Sequence, residues 1–311
     1  MKIYDCFKFL NELDLLEIRL NELDSVVDKF VLVEFKETHT GKPKPLYFDE
    51  IKNTDKRFSK FLDKIIHIGL EANPKITNAR RRDVFQRNAV KLGLSKCKPN
   101  DVIIVSDLDE IPAPDKIKSN LPDINGKNIV EFRQHNYRYF FNCRVNNPPP
   151  QHPDWSGSRM IRYKNFAYGQ DFRLLTPEAK QRMGKVTYVE DGGWHFSWMG
   201  GVDAIIEKLG SFSHTEQDLP ENREKDVLLY RITNGFDYCG RDAELKHIYI
   251  YGDENLDESY PKYLLKNLNK FKKYIFYEKD RVIDEELKQK VEDRLKLKTE
   301  IANIPEKNLL E

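Results

Sequence analysis

A chain of 311 residues that is 39% hydrophobic, 33% charged and 12% aromatic has the material for one large α/β domain or two small ones, with a polar surface. Its net charge of +1 provides no global field for nucleic acid or membrane, and its four cysteines (Cys6, Cys97, Cys143, Cys239) have no paired spacing for a zinc site or a disulfide framework. No apolar run approaches membrane-spanning length and the first residues are not a signal peptide, so the expectation is a soluble, cytosolic protein.

In chain order, residues 11–23 place Leu13, Leu16, Ile18, Leu20 and Leu23 among Glu12, Glu17 and Arg19, the pattern of an amphipathic helix with Asn11 as its cap. The run 30–33 is a buried strand ending in Glu34, and the loop after it carries Lys42 and Lys44, placed either to meet phosphate or to stay solvated. Residues 57–62 are helical and 64–68 a further strand. Residues 78–94 form a helix with Arg80, Arg81, Arg82 and Arg87 upstream of its apolar end. Val-Ile-Ile-Val at 102–105 is a strand buried on both faces, cut off by Ser106, Asp107, Asp109, Glu110 and then Pro112 and Pro114. Alternating strands and helices over this first stretch predict an α/β fold with a right-handed, mainly parallel central sheet.

Residues 129–141 are β-rich. Residues 146–158 carry four prolines and cannot be regular, so Trp155 stands in a long loop as an acceptor-binding platform. Residues 159–163 are another strand. At 189–201 two glycine pairs bracket an aromatic strand with Trp194, His195 and Trp198, and the glycines predict close backbone approach to a ligand. Residues 202–209 and 223–233 are helices flanking a hinge or lid at 211–216. From 261 to 276, apolar residues at helical spacing alternate with lysines, which suits either a helix packed on the domain or a peripheral contact with a membrane or partner. The division expected is 1–260 as one domain (a nucleotide-sugar half, 1–125, and an acceptor half, 126–260), with 261–311 as a helical extension.

The strand at 102–105 delivers three carboxylates to the carboxyl end of a central strand, where open α/β sheets bind ligands. Unpaired buried carboxylates are costly, so a divalent metal is the economical partner. Mn²⁺ or Mg²⁺ held by Asp107 and Asp109, with substrate phosphates in its other positions, is the reading. The spacing alone is weak, since Asp242-Ala-Glu244 has similar acids and no strand before it. Arg87 suits a diphosphate, its alternative being a solvated helix face.

The chain resembles glycosyltransferase family 17. The resemblance is carried by Phe9-Leu-Asn-Glu-Leu-Asp-Leu-Leu-Glu-Ile-Arg-Leu20, Phe30-Val-Leu-Val-Glu34 with Thr40-Gly41-Lys42, and Gln86-Arg-Asn-Ala89. It continues through Ser106-Asp-Leu-Asp-Glu-Ile-Pro112, Gly193-Trp-His-Phe-Ser-Trp198 and Pro261-Lys-Tyr-Leu-Leu-Lys-Asn267. It implies a GT-A fold, a UDP-sugar donor with Mn²⁺, and inverting transfer of GlcNAc from UDP-GlcNAc to a hydroxyl of a glycan acceptor. It makes His195 a third metal ligand and places Glu34, Asn88, Arg87 and Asp107 on the donor. Trp155 and Trp194 fall to the acceptor. Asp171 and Asp191 are the candidates for the base that an inverting transfer needs. The family's animal members carry a membrane anchor that this sequence does not show, so a bacterial or viral origin and another glycan acceptor are equally compatible. Two rivals stand beside this. One is a haloacid-dehalogenase-like phosphatase with Asp107 as nucleophile and an acidic motif at 248–257. The other is a non-catalytic module that binds sugar nucleotides or glycans.

Overall fold

Residues 102–105 show why the sheet is two-sided. Val102 and Ile104 enter one hydrophobic cluster, while Ile103 and Val105 enter another on the opposite face. The same alternation splits Phe30 and Leu32 from Val31 and Val33. A strand has period two, so a run that is apolar at every position can be satisfied only between two layers. The structure is a computed structural model describing residues 1–302 apart from 148, 150 and 176. Two prolines of the expected loop and the end of the expected C-terminal extension (303–311) lie outside the described residues. So do the side chains at 177, 178, 182, 243, 244, 301 and 302, which include the comparison acid Glu244.

The strands are β1 (Ile3–Lys8), β2 (Lys29–Phe35), β3 (Ile65–Leu70), β4 (Val102–Val105), β5 (Glu110–Pro112), β6 (Ile129–Arg138), β7 (Cys143–Asn146), β8 (Trp155–Arg162), β9 (Val186–Val189), β10 (Gly193–Ser197) and β11 (Ile248–Tyr251). Their order is β11-β7-β6-β8-β4-β1-β2-β3, with β10 and β9 pairing β6 and with β5 pairing β10. The half from β4 to β3 is wholly parallel, as the α/β pattern predicts. Beyond β4 the sheet is mixed: β8 runs antiparallel to β4 and β6, whereas β9 and β10 run parallel to β6.

Several expectations need correction. β1 went unread because Asp5 and Lys8 interrupt its apolar pattern. The first helix is Leu13–Leu23, with Glu12 rather than Asn11 in the cap position, and it is not amphipathic in effect: Glu17, Arg19 and Glu22 are buried with its leucines. Its outer face is covered by the segment after Pro261, where Tyr263 donates its amide to Glu22 (2.9 Å) and its hydroxyl to Glu17 (2.7 Å). That segment is a short helix, Lys262–Lys266, followed by a 3₁₀ run, Leu268–Tyr274, instead of one amphipathic helix. Leu264, Phe271, Ile275 and Phe276 are buried, so the apolar side a membrane would need is already used inside the protein. The helix expected at 78–94 is α-helical over Ala79–Asn88, capped by Asn78 as its side chain accepts from the Arg81 amide (3.1 Å), and tightens to 3₁₀ over Ala89–Leu94. Among the described residues, no helix is long and apolar enough to cross a membrane.

Candidate active site

The loop after β4 takes its shape from a side chain ninety residues earlier. Arg19, fully buried, holds Asp5 through two hydrogen bonds (Nε to Oδ2, 2.8 Å; Nη2 to Oδ1, 2.6 Å). Nη2 also donates to Ser106 Oγ (2.6 Å), and Nη1 to the carbonyls of Asp107 (3.0 Å), Leu108 (3.1 Å) and Glu110 (2.7 Å). A guanidinium is a planar fork that can take several acceptors at once. Three carbonyls are drawn to one nitrogen, while Asp107 and Asp109 line a cavity of about 190 Å³ on the loop's other side.

Around Asp107 the cations are part of the protein. Arg87 Nη2 lies 3.1 Å from its carboxylate, Lys8 Nζ 3.7 Å and Arg173 Nη2 4.0 Å. Burial alone would raise the Asp107 pKa, but these three charges overcome it and hold the group well below the usual carboxylate range. Arg87 is itself held by Asp83 (3.3 Å) and by Gln170.

Around Asp109 the balance is reversed. Lys208 Nζ is 3.6 Å away and His195 Nε2 3.9 Å. Burial dominates, the neighbouring Glu110 and Asp107 add to it, and the Asp109 pKa is pushed up to about 7 despite Lys208. His195 is driven well below its ordinary value by burial and by Arg138, Arg173 and Lys208, so its ring is neutral, as a metal ligand must be. Its Nδ1 is buried with no hydrogen-bond partner among the described residues. Two ligands at about 2.1 Å from one cation can be at most about 4.2 Å apart, and the 3.9 Å between His195 and Asp109 falls within that. These residues fit a divalent cation.

The positions of these groups follow from the strands. His195 pairs with Glu110 across β10 and β5. Gly193 makes that approach possible: its φ is +131°, and a Cβ there would stand 2.1 Å from the Ile111 carbonyl oxygen. The expected close approach of a glycine is therefore real, but at Gly193 it is to the backbone of β5 and not to a ligand. Glu110 works as a fastener. It accepts from the Asp107 amide (2.8 Å) and Trp155 Nε1 (2.6 Å) and is ion-paired with Arg173. Trp155 lies in β8, half-buried, with its ring stacked on His195 at 4.7 Å, so it is not a free loop tryptophan.

Of the residues expected from sequence, Asp107, Asp109, His195 and Trp155 line this one cavity, and Arg87 backs it through Asp107. The others are elsewhere. Glu34 is buried, accepting from the amides of Phe48 (3.2 Å) and Asp49 (3.0 Å) and facing His67 (2.8 Å), so it caps the helix Tyr47–Ile51. Asn88 accepts from the Gln170 amide (2.9 Å) and ties two helices together. Asp171 sits in the first turn of the helix Gly169–Leu174. Asp191 and Trp194 line a separate groove with His135 and Tyr260; Asp191 is 3.3 Å from His135 Nε2, and Trp194 Nε1 donates to the Ser259 carbonyl (2.7 Å). Of the two loop lysines, Lys44 lines the cavity and Lys42 does not.

Sequence reasoning missed Lys8, Glu12, His39, Trp198 and Lys208, all on the cavity wall. Trp198 alone carried a signal, the glycine pair that follows it; in the structure its backbone is left-handed at φ +58°, rare for a bulky residue. A second cluster, His152, Asp154 and Glu190, brings its ligand atoms within 4.8 Å of one another, but Arg144 (2.9 Å from Asp154) and Arg133 (2.7 Å from Glu190) already neutralise its acids. The phosphatase reading meets a geometric obstacle. Asp253 follows β11 and lines a different pocket, with Tyr251 and Phe276, and is not on the wall of the cavity that holds Asp107.

The geometry defines an α/β protein with an acidic cavity at the carboxyl end of a central strand. The family model "Glycosyltransferase family 17" matches residues 1–276, and the chain belongs to that family. It is similar to the β-1,4-mannosyl-glycoprotein 4-β-N-acetylglucosaminyltransferases of Rattus norvegicus (25% identical over 296 residues) and Homo sapiens (26% over 295). Each match takes in 87% of this chain and 54% of the relative, so the chain spans about half the length of these relatives. Among solved structures, the Mycobacterium tuberculosis glucosyl-3-phosphoglycerate synthase with Mn²⁺, UDP-glucose and phosphoglyceric acid aligns at TM-score 0.35. The identity is 14%, over 62% of this chain and 70% of that one. S. aureus TarS 1–349 aligns at TM-score 0.37 with 12% identity, over 72% and 71%.

Proposed function

We propose that this chain, with a GT-A-like fold, moves GlcNAc from UDP-GlcNAc to a hydroxyl of a glycan acceptor, inverting the anomeric centre. Asp109 and His195 hold a Mn²⁺ or Mg²⁺ ion, with Asp107 beside them. The single observation carrying this is the pair made by Asp109, whose pKa is lifted to about 7 by burial, and the neutral His195 at 3.9 Å. Such a pair is short of positive charge, since Lys208 at 3.6 Å does not overcome the burial of Asp109. Family membership and the names of the relatives support the sugar-transfer reading and the GlcNAc donor.

When bound, the ion offsets negative charge on the diphosphate and on the departing UDP. The chain's own residues do the rest. Lys8, Lys44 and Lys208 line the cavity and bind phosphate oxygens electrostatically. Arg87 and Arg173 fix Asp107 and Glu110, which keeps the loop rigid at the reacting end. Trp155 holds the His195 ring in plane by stacking.

Calorimetric titration of UDP-GlcNAc with and without Mn²⁺ tests this. Binding that requires Mn²⁺ and vanishes in Asp109→Ala is the expected result. Mn²⁺-independent binding that Asp109→Ala leaves intact would break the metal assignment. Binding without any turnover would favour the sugar-nucleotide module.

A further inference from the structure

The cavity of Asp109 shares a wall with a second cavity of about 340 Å³, and the shared residues are Leu10, Glu12, Trp198 and Lys208. Lys208 is the cation beside Asp109, so the wall stands next to the proposed metal site. An inverting transfer needs two neighbouring spaces, one for the donor and one for the acceptor, with a base between them.

The carboxylates around the two cavities differ in what already holds them. Asp14 is taken by Lys273 (2.7 Å), Arg57 (3.0 Å) and the Tyr274 hydroxyl (2.8 Å). Glu37 is taken by Arg82 (3.0 Å), and Glu110 by Arg173 and Trp155. Glu207 accepts from Asn11 Nδ2 (2.8 Å) and lines the second cavity but not the first. Glu12 lines both, and among the described residues it makes no ion pair within 4.0 Å.

Its side chain is held all the same. Oε2 accepts from the amides of Leu10 (3.3 Å) and Asn11 (3.2 Å). Glu12 occupies the cap position of the first helix yet makes no capping hydrogen bond, forgoing an interaction typically worth about 1 kcal/mol. A carboxylate fixed by two amides, with its other oxygen unengaged among the described residues and facing two adjoining cavities, is built for something other than helix stability.

We infer that Glu12 is the catalytic base of the transfer and that the second cavity seats a neutral acceptor sugar against Trp198. The inference rests on the transferase reading above. The acceptor hydroxyl gives its proton to Glu12 as its oxygen bonds to the anomeric carbon. The bond from that carbon to the β-phosphate oxygen breaks, and UDP leaves with the electron pair. Glu12 then returns the proton to solvent. Without an acceptor, water attacks by the same route.

The test measures UDP release from UDP-GlcNAc with Mn²⁺, in water alone and with methyl β-D-mannopyranoside, beside donor binding by calorimetry. Glu12→Gln keeps an acceptor for the two amides, so its fold and donor affinity stay within about threefold of wild type. UDP release falls by about a hundredfold or more while donor binding holds. Glu12→Asp, which keeps a carboxylate, shows a smaller loss. Ala204→Phe, which fills the second cavity away from the first, raises the KM for the mannoside and leaves the donor Kd unchanged. Glu12→Gln with wild-type release overturns the base. An unchanged mannoside KM in Ala204→Phe overturns the acceptor cavity, whereas wild-type release at background in both media while the donor binds favours the sugar-nucleotide module. If the wild-type protein does not bind UDP-GlcNAc at all, the transferase reading fails first, and that result is distinct from the others.

Discussion

Asp107 and Asp109 leave the same strand two residues apart, and the two sides of the cavity treat them in opposite ways. The Asp107 side has its cations built in: Arg87, Lys8 and Arg173 surround a carboxylate that stays ionised. The Asp109 side is short of positive charge, with one lysine and a neutral histidine, and its carboxyl rises to about 7. A motif that reads as symmetrical therefore divides into an acid that is fully ion-paired and one that is not. Which acid is which depends on where Arg87, Lys8 and Lys208 arrive from, and that is a property of the fold.

The largest test of this division replaces each acid in turn. Asp109→Ala should abolish Mn²⁺-dependent binding of UDP-GlcNAc and lower turnover by about a thousandfold, with the melting temperature unchanged or raised. Asp107→Ala should also lose activity but be less stable by roughly 1–3 kcal/mol, because it leaves Arg87 and Lys8 to share Asp83 alone. Equal melting shifts in the two variants would break the comparison. Next in size, Arg19→Met strikes both sides at once. Removing one partner of a buried pair costs about 3–5 kcal/mol, read as a lower denaturant midpoint together with lost donor binding.

A pH series sharpens the contrast further. The Asp109 carboxyl titrates near 7 in the folded chain and about 3.9 unfolded, so its contribution to stability is complete below pH 4 and lost as pH rises toward 7. Metal-free Asp109→Asn should therefore gain on the order of 2–4 kcal/mol over wild type at pH 8 and little at pH 4. Adding Mn²⁺ at pH 8 should stabilise wild type alone. Smallest is Trp155→Phe, which keeps the stack on His195 and deletes the hydrogen bond to Glu110. About 1 kcal/mol of stability and a modest rise in the Mn²⁺ requirement are expected.

The strand at 102–105 was legible because apolar runs and proline stops are local signals. So was the parallel half of the sheet, whereas His195 was set beside Asp107 and Asp109 only by the family resemblance, and Trp155 was expected in a loop and not in β8. What stayed hidden depends on distant partners. Arg19 read as the polar side of an amphipathic helix, since nothing in residues 11–23 announces that Asp5 and the loop after β4 will meet it. β1 was hidden for the same reason, its Asp5 looking like surface until Arg19 accounts for it. Glu34 and Asn88 looked like donor contacts by position along the chain, but an acid after a strand can as readily cap the next helix, and here Glu34 does. Lys8 and Lys208 come from opposite ends of the fold, and no spacing rule links them.

The arrangement around Arg19 also sets a condition for assembly. The carbonyls of Asp107, Leu108 and Glu110 have a shared partner only once β1 and the first helix are in place beside β4. During synthesis that partner leaves the ribosome about ninety residues ahead of the loop. A break between residues 95 and 100 would then separate the chain into a template and a segment that it shapes. The second fragment alone would contain both acids and no means of holding them apart, and mixing it with the first would restore the site without any new covalent bond.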